Sequence, residues 1–318
     1  MRAPRTWRQG KNLAERSCSL LQESMKKPFE PYPLHQCALY RLKSRRQLAS
    51  RLNRSLPYIS SRAAKPELYR EWREPKRSGG TRLIEAPRPD LKELQRRIGD
   101  LLQRVAPPDY LFSPVKGKSY LENAFVHKSA KTIKLLDIDD YFGNCLAKSV
   151  YAFFRQHLRC EPDVAHLLTG LTCRNGHLPQ GSPASPILSF YSAFDMWNEI
   201  QTLVVAADCK MSLYVDDITI SGEQVPEALV FEVKGVLHRH GHNYSKRKEG
   251  RRHGRPAEVT GLMVGSGKAM VPHRHYRKLL DARLAASTTA DEEERARAIA
   301  RAKSLEYQVQ AVSKKKRQ

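Results

Sequence analysis

Long apolar runs are missing from this chain: none approaches the roughly 18 residues that a membrane span needs. The basic N-terminus also lacks the apolar stretch of a secretion signal, so a cytoplasmic location with no membrane partner is expected. Cysteine is sparse. Cys18, Cys37, Cys145, Cys160, Cys173 and Cys209 form no Cys-x-x-Cys pair, and no His stands at zinc-finger spacing, so they read as reduced thiols. Acid is scarce as well. Only 33 Asp and Glu face 56 Lys and Arg, a formal net charge of +23. That imbalance points to a polyanionic partner, because each phosphate contact also releases condensed counterions.

What is present suffices for a folded core: 40% of the 318 residues are hydrophobic and 28% charged. That length suits one large domain or two ordinary ones. The basic residues cluster at 41–54, 246–255 and 273–278, and the chain ends Lys-Lys-Lys-Arg-Gln, which reads as a nucleic-acid surface or, at the terminus, a solvated tail. From Leu34 to Ser60, Leu39, Leu42, Leu48 and Leu52 recur at helical spacing, predicting a basic amphipathic helix. Ser78-Gly79-Gly80 between two extended runs predicts a hairpin over 72–84. Helices are predicted over 91–105, 147–158, 183–200 and 226–240, and strands over 131–136 and 258–264. Thr289 with Glu292 three residues on resembles a capping box opening a last helix.

The chemistry lies in the acids. Asp216 and Asp217 are adjacent, within an apolar β-like stretch of Leu213, Tyr214, Val215, Ile218 and Ile220. Two like charges in such a setting need a cation. A tight hairpin would present both, and Asp137, which follows Ile133, Leu135 and Leu136, would complete the site from a neighbouring strand. Magnesium binds through one or two carboxylates plus substrate phosphates. Two such ions about 4 Å apart can activate a 3′-hydroxyl and stabilise leaving pyrophosphate.

Three segments then resemble reverse transcriptase motifs, in family order. Asp137-Ile-Asp139-Asp140-Tyr-Phe142 looks like motif A, Leu178-Pro-Gln180-Gly181-Ser-Pro-Ala-Ser-Pro186 like motif B, and Tyr214-Val-Asp-Asp217 like motif C. The resemblance implies that Asp137, Asp216 and Asp217 are catalytic and ligate two magnesium ions, or manganese in their place. It further implies nucleotide contacts from the backbone around Asp140, from Phe142 as a steric gate against the 2′-hydroxyl, from Gln180 and Gly181, and from Lys76 and Arg82 on the hairpin. Lys248, in a motif D-like segment, would lie near pyrophosphate. Asp139 departs from the usual pattern by adding a third acid to motif A.

Two further elements resemble those of bacterial retron enzymes: Asn123-Ala-Phe-Val-His127 before motif A, and Val259-Thr260-Gly261 after motif D. A retron enzyme binds a structured non-coding RNA from its own locus, primes from a guanosine 2′-hydroxyl and makes multicopy single-stranded DNA joined to RNA. The implied partners are that RNA, the RNA–DNA product, deoxynucleotides, a separate effector protein in antiphage defence, and host RNase H. RNA contacts are expected from Asn123, His127, Val259, Thr260 and Gly261, and from the basic-aromatic cluster with Arg274, Tyr276 and Arg277. The expected fold is α+β, a right hand. After an N-terminal basic extension (1–34) come fingers (35–130, with a segment near 145–190), an antiparallel palm sheet backed by helices (131–250), and a helical, RNA-binding thumb (251–318). Another bacterial reverse transcriptase class, or a polymerase-like RNA-binding scaffold or antitoxin, stays open as an alternative.

Overall fold

Prolines and hydroxyl caps set the pattern of short helices at the start of the computed structural model, which describes residues 30–76 and 79–315. Most of the expected N-terminal extension lies outside the described residues, as do the side chains of the terminal basic run. Ser44 and Ser55 accept backbone N–H bonds from Gln47 and Tyr58, opening helices α1 (Arg45–Arg51) and α2 (Leu56–Ser60). The single helix predicted over 34–60 is therefore broken. Arg41 and Asn53 each take φ 54°, a left-handed conformation that no α-helix continues through. The predicted apolar face survives the break, for Leu39, Leu42, Leu48 and Leu52 are all buried.

Strands β1 (Tyr69–Pro75) and β2 (Thr81–Pro87) form the predicted hairpin, with Trp72 opposite Ile84. Helix α3 (Pro89–Leu102) buries Leu94, Ile98, Leu101 and Leu102 as its spacing predicts. There follow β3 (Leu111–Ser113), α4 (Tyr120–Phe125), β4 (Thr132–Asp137), α5 (Tyr141–Asn144) and α6 (Ala147–Ala152), which runs on as a π-helical turn to His157. Helix α7 (Pro162–Thr172) precedes α8 (Ser185–Ser192) and α9 (Phe194–Ala206), so the helix predicted over 183–200 is two, divided at Ala193. Next come β5 (Lys210–Tyr214), β6 (Asp217–Gly222), α10 (Glu227–Arg239), β7 (Gly250–His253), β8 (Ala257–Val259), β9 (Leu262–Gly265), β10 (Lys268–Met270), α11 (His273–Thr288) and α12 (Glu292–Lys315).

Two local expectations are corrected. The strand predicted over 258–264 is a hairpin, because Thr260 and Gly261 both take positive φ (43° and 88°) and join β8 to β9 in a two-residue turn. The cap of the last helix is Asp291, whose carboxylate accepts the Glu294 N–H at 2.7 Å, whereas Thr289 ends α11.

The fold is α+β. Among the described residues the main sheet has the order β3-β5-β6-β4-β7, antiparallel except where β3 runs beside β5. Period-two alternation assigns its faces. Met211, Leu213, Ile218 and Ile220 share the large core with Trp197 and Ile200 of α9 and Val230 and Val233 of α10. Ile133 on the opposite face packs with Ala124 of α4 and with Val259, Leu262 and Val264 of the small β8–β10 sheet. Leu279 and Ala282 hold α11 against Ala302 of α12. The five described cysteines are free and buried, and no described helix is long and apolar enough to cross a membrane.

Candidate active site

Strand pairing brings the three aspartates together. Asp137 ends β4 directly opposite Asp217, which starts β6, while Val215 and Asp216 form the turn between β5 and β6. Val215 sits at φ 61°. A β-branched residue held there costs on the order of 1–3 kcal/mol, strain stored at the tip that carries the acids. Backbone bonds fix the frame: Ile138 N–H donates to Asp216 O at 3.2 Å, and Ser245 N–H to Asp137 O at 2.8 Å. Carboxylate oxygens of Asp137, Asp216 and Asp217 consequently lie within 4.8 Å of one another.

Such crowding disfavours charge. Lost hydration, then the charge of Asp137, raises the pKa of Asp216. Lost hydration, followed by the nearby acids Asp216 and Asp137, pushes Asp217 up to about 7, although the residue keeps an edge open to solvent. Among the described residues Lys248 is the cation bonded to the cluster, its Nζ donating to both carboxylate oxygens of Asp137 at 2.7 Å. Its neighbour Glu249 is anchored by Lys134 and by Lys234 Nζ at 2.8 and 2.9 Å, which fixes the backbone beside Lys248. One ammonium does not balance three carboxylates. An all-oxygen donor set with surplus negative charge fits a hard divalent cation. Asp139, the extra acid, is exposed and lies outside the cluster.

A cavity of about 470 Å³ opens at Asp140 and Phe142, a few residues along the chain from Asp137. Lys76, Arg82, Asp140, Phe142 and Gln180, far apart in sequence, all line it, together with Arg73 and His177. Arg82 is held by Glu74 at 3.0 Å. Gly181 faces another way. At φ 132°, an added Cβ would stand 3.0 Å from Glu85 O, so its lack of side chain permits close approach to β2. Gln180 O accepts the Glu85 N–H at 2.7 Å in the same contact.

Sequence reasoning missed the wall behind this cavity. Glu85 is buried, with Arg174 Nη1 at 2.7 Å and His177 Nε2 at 2.8 Å on its two oxygens. Ser182 Oγ donates to Gln95 Oε1 at 2.6 Å, and Gln95 Nε2 donates to Leu171 O at 2.9 Å, tying the Gln180–Ser182 turn to α3 and α7. The signal was there: an acid between Ile84 and Ala86, on a strand entering the core, requires a cation.

The residues expected to meet RNA divide into two groups. Arg274, Tyr276 and Arg277 are exposed on α11, Arg274 paired with Glu258 at 2.6 Å. Asn123, His127 and Val259 instead turn inward, with 1%, 0% and 1% exposure, and offer a ligand no surface. Asn123 Nδ2 donates to Thr260 Oγ1 at 3.3 Å, so the Asn-Ala-x-x-His and Val-Thr-Gly elements meet each other. Thr260 and Gly261 form the half-buried turn between β8 and β9.

Comparison with known proteins bears on this geometry. A family model described as reverse transcriptase (RNA-dependent DNA polymerase) matches residues 74–249, more than half of the chain. The chain is similar to the retron Se72 reverse transcriptase of Salmonella heidelberg, 28% identical over 215 residues, which cover 63% of this chain and 56% of that protein. It is 26% identical to the retron Ec86 reverse transcriptase of Escherichia coli, over 62% of this chain and 63% of the relative. To the retron Ec83 reverse transcriptase of the same species it is 31% identical, over 48% and 52%. The matches thus span between half and two thirds of the length of these relatives.

Proposed function

The chain belongs to the reverse transcriptase (RNA-dependent DNA polymerase) family, and from that premise we propose that it is the polymerase of a bacterial retron. The observation that carries the reading is the meeting of Asp137, Asp216 and Asp217, with Lys76, Arg82, Phe142 and Gln180 gathered around one cavity that Asp140, three residues from Asp137, also lines. In this reading β4–β6 belong to a palm (131–250), the β1–β2 hairpin with 145–190 to fingers (35–130), and the β8–β10 sheet with α11 and α12 to a thumb (251–318).

Two magnesium ions, or manganese in their place, would supply at the aspartates the positive charge that the reacting phosphate requires. The protein's own groups do the positioning. Lys76 and Arg82 grip the triphosphate of a deoxynucleotide, since guanidinium and ammonium groups match phosphate in charge and in donors. Phe142 crowds a ribose 2′-hydroxyl, Gln180 contacts the base pair being formed, and the backbone at Asp140 follows the phosphates. Gly181 sets the Gln180 turn against β2. Lys248 stands where pyrophosphate leaves as the primer hydroxyl attacks the α-phosphate. Exposed Arg274, Tyr276 and Arg277, with the Thr260–Gly261 turn, grip a structured RNA through phosphates and unpaired bases.

The substrate is then a non-coding RNA from the same locus, copied from a guanosine 2′-hydroxyl into single-stranded DNA that stays joined to RNA. Host RNase H trims the template, and a separate effector protein answers to the product in antiphage defence. The names of the three relatives, together with the Asn123–His127 and Val259–Gly261 elements, support this over another reverse transcriptase class. The test uses cells carrying the gene with its native upstream locus. RNase-treated, end-labelled nucleic acid should contain a discrete short DNA that shifts on debranching and disappears with Asp216→Ala/Asp217→Ala. RNA co-purifying without any such DNA would favour the scaffold reading.

A further inference from the structure

His127 is buried where no substrate reaches it, yet both its ring nitrogens are engaged. Nδ1 lies 2.6 Å from Ser221 Oγ and Nε2 lies 2.7 Å from Ser212 Oγ. Ser212 belongs to β5 and Ser221 to β6, the two arms of the hairpin that ends in Asp216 and Asp217. Directly paired residues share a sheet face. The pairs Lys210 with Ser221, Ser212 with Thr219, Tyr214 with Asp217 and Asp137 with Asp217 put both serines on the face of Asp137 and Asp217. The imidazole therefore spans the hairpin beneath the carboxylates, Ser221 lying four residues from Asp217, roughly 13 Å along the strand.

The ring bridges as a neutral group. Lost hydration, with Lys210 adding to it, pushes its pKa down to about 3. A neutral imidazole has one donor and one acceptor, so it gives a hydrogen bond to one serine and takes one from the other. The segment that carries it is fastened on its far side too. Thr260 Oγ1 donates to Tyr120 O at 2.9 Å and accepts from Asn123, while Gly267 N–H donates to Lys128 O at 2.9 Å.

We propose that His127 is a positioning residue which, through Ser212 and Ser221, sets the spacing of β5 and β6 and so the seat of Asp216 and Asp217 against Asp137. Asn123 and Thr260 anchor helix α4, which ends two residues before it. The inference rests on the polymerase reading for its consequence in catalysis, though not for its effect on cation binding.

The test measures Mn²⁺ affinity of the purified full chain by electron paramagnetic resonance of the free ion. Beside it stands the Mg²⁺ dependence of incorporation on poly(rA)·oligo(dT). His127→Phe and the double variant Ser212→Ala/Ser221→Ala should each weaken Mn²⁺ binding by about 10-fold, as loss of groups that orient ligands does. Each should raise the Mg²⁺ needed for half-maximal incorporation in parallel. Combining the two should add nothing further, and His127→Gln, which keeps a donor and an acceptor, should recover part of the loss. If His127→Phe does not fold, the serine variants decide. Unchanged Mn²⁺ affinity in folded serine variants would overturn the proposal and leave His127 as core packing. Wild type that binds Mn²⁺ in the serine-dependent way but incorporates nothing would sink the polymerase reading while sustaining the positioning role.

Discussion

Glu85 is buried in the protein, whereas the aspartate cluster runs from buried Asp137 to solvent-open Asp217, and the chain treats the two groups of acid in opposite ways. Glu85 receives Arg174 on one oxygen and His177 on the other, so its charge is answered inside the fold. Among the described residues the Lys248 ammonium bonds Asp137, while Asp216 and Asp217 sit on a hairpin whose Val215 is strained. The first region spends its polar groups on stability. The second leaves negative charge unanswered, which costs stability and is worthwhile only if something cationic binds there. The difference teaches where to look for function: at the crowded charge that its own neighbours do not fully compensate.

The comparison is broken most directly at the cluster. Asp216→Asn should reduce RNA-templated incorporation by roughly a thousandfold, the scale expected when charge stabilisation at the reacting phosphate is lost. The same change should raise the thermal midpoint in metal-free buffer, because one of three repelling charges is gone. A fall in both quantities would place Asp216 among the structural acids with Glu85.

Glu85→Ala should behave the other way, costing about 2–3 kcal/mol in urea unfolding because Arg174 and His177 lose the buried carboxylate between them, leaving Arg174 with the exposed Glu71. Replacing both Glu85 and Arg174 with apolar residues of similar size should recover most of that loss. A cost near zero for the single change would erase the contrast between the regions.

Acid titration separates the cluster from the core beneath it. Asp217, with a native pKa near 7 against an ordinary 3.8, holds a proton that the unfolded chain releases. Stability of the metal-free protein from this group therefore falls as pH rises through that window, and Mg²⁺ should flatten the slope. His127 acts in the opposite sense. Its pKa drops from 6.5 to about 3, so unfolded chains gain a proton first and stability is lost as pH falls below 6.5, on the order of 4 kcal/mol by pH 3. Asp217→Asn should leave the His127 slope alone in chemical unfolding followed from pH 3 to 7.

Smallest is the expected effect at the cavity. Phe142→Ala should relax discrimination against ribonucleotides by about 10–100-fold, with little change for deoxynucleotides, in competition assays on one template. Equal discrimination in both proteins would make Phe142 a packing residue only.

Much of the site was legible in sequence because its logic is local. An Asp-Asp pair in an apolar, alternating stretch reads as a hairpin tip that calls for a cation more readily than as a plain surface turn, and β4 and β6 do place Asp137 opposite Asp217. The β1–β2 hairpin and the buried face of α3 follow from Ser-Gly-Gly and from apolar spacing in the same way. What was not legible depends on long-range partners. Nothing near Arg174 in the chain announces Glu85, 89 residues away. His127 reads as a surface histidine until β5 and β6 close over it. The split helices over 34–60 and 183–200 show the same limit, since apolar period marks the buried face but not the breaks at Arg41, Asn53 and Ala193. The Thr260–Gly261 turn was within reach, as positive φ at a Thr-Gly pair is a hairpin signal that strand propensity on either side concealed.

The central claim is that the uncompensated carboxylates are a cation-dependent polymerisation centre. The most direct test is incorporation of labelled deoxynucleotide by the purified chain on a primed RNA template, titrated with Mg²⁺, for wild type and for Asp216→Asn. The account predicts saturable, Mg²⁺-dependent extension of the primer by wild type and none above background by the variant. Extension by both proteins, or by neither across the whole Mg²⁺ range while each remains folded, would contradict it.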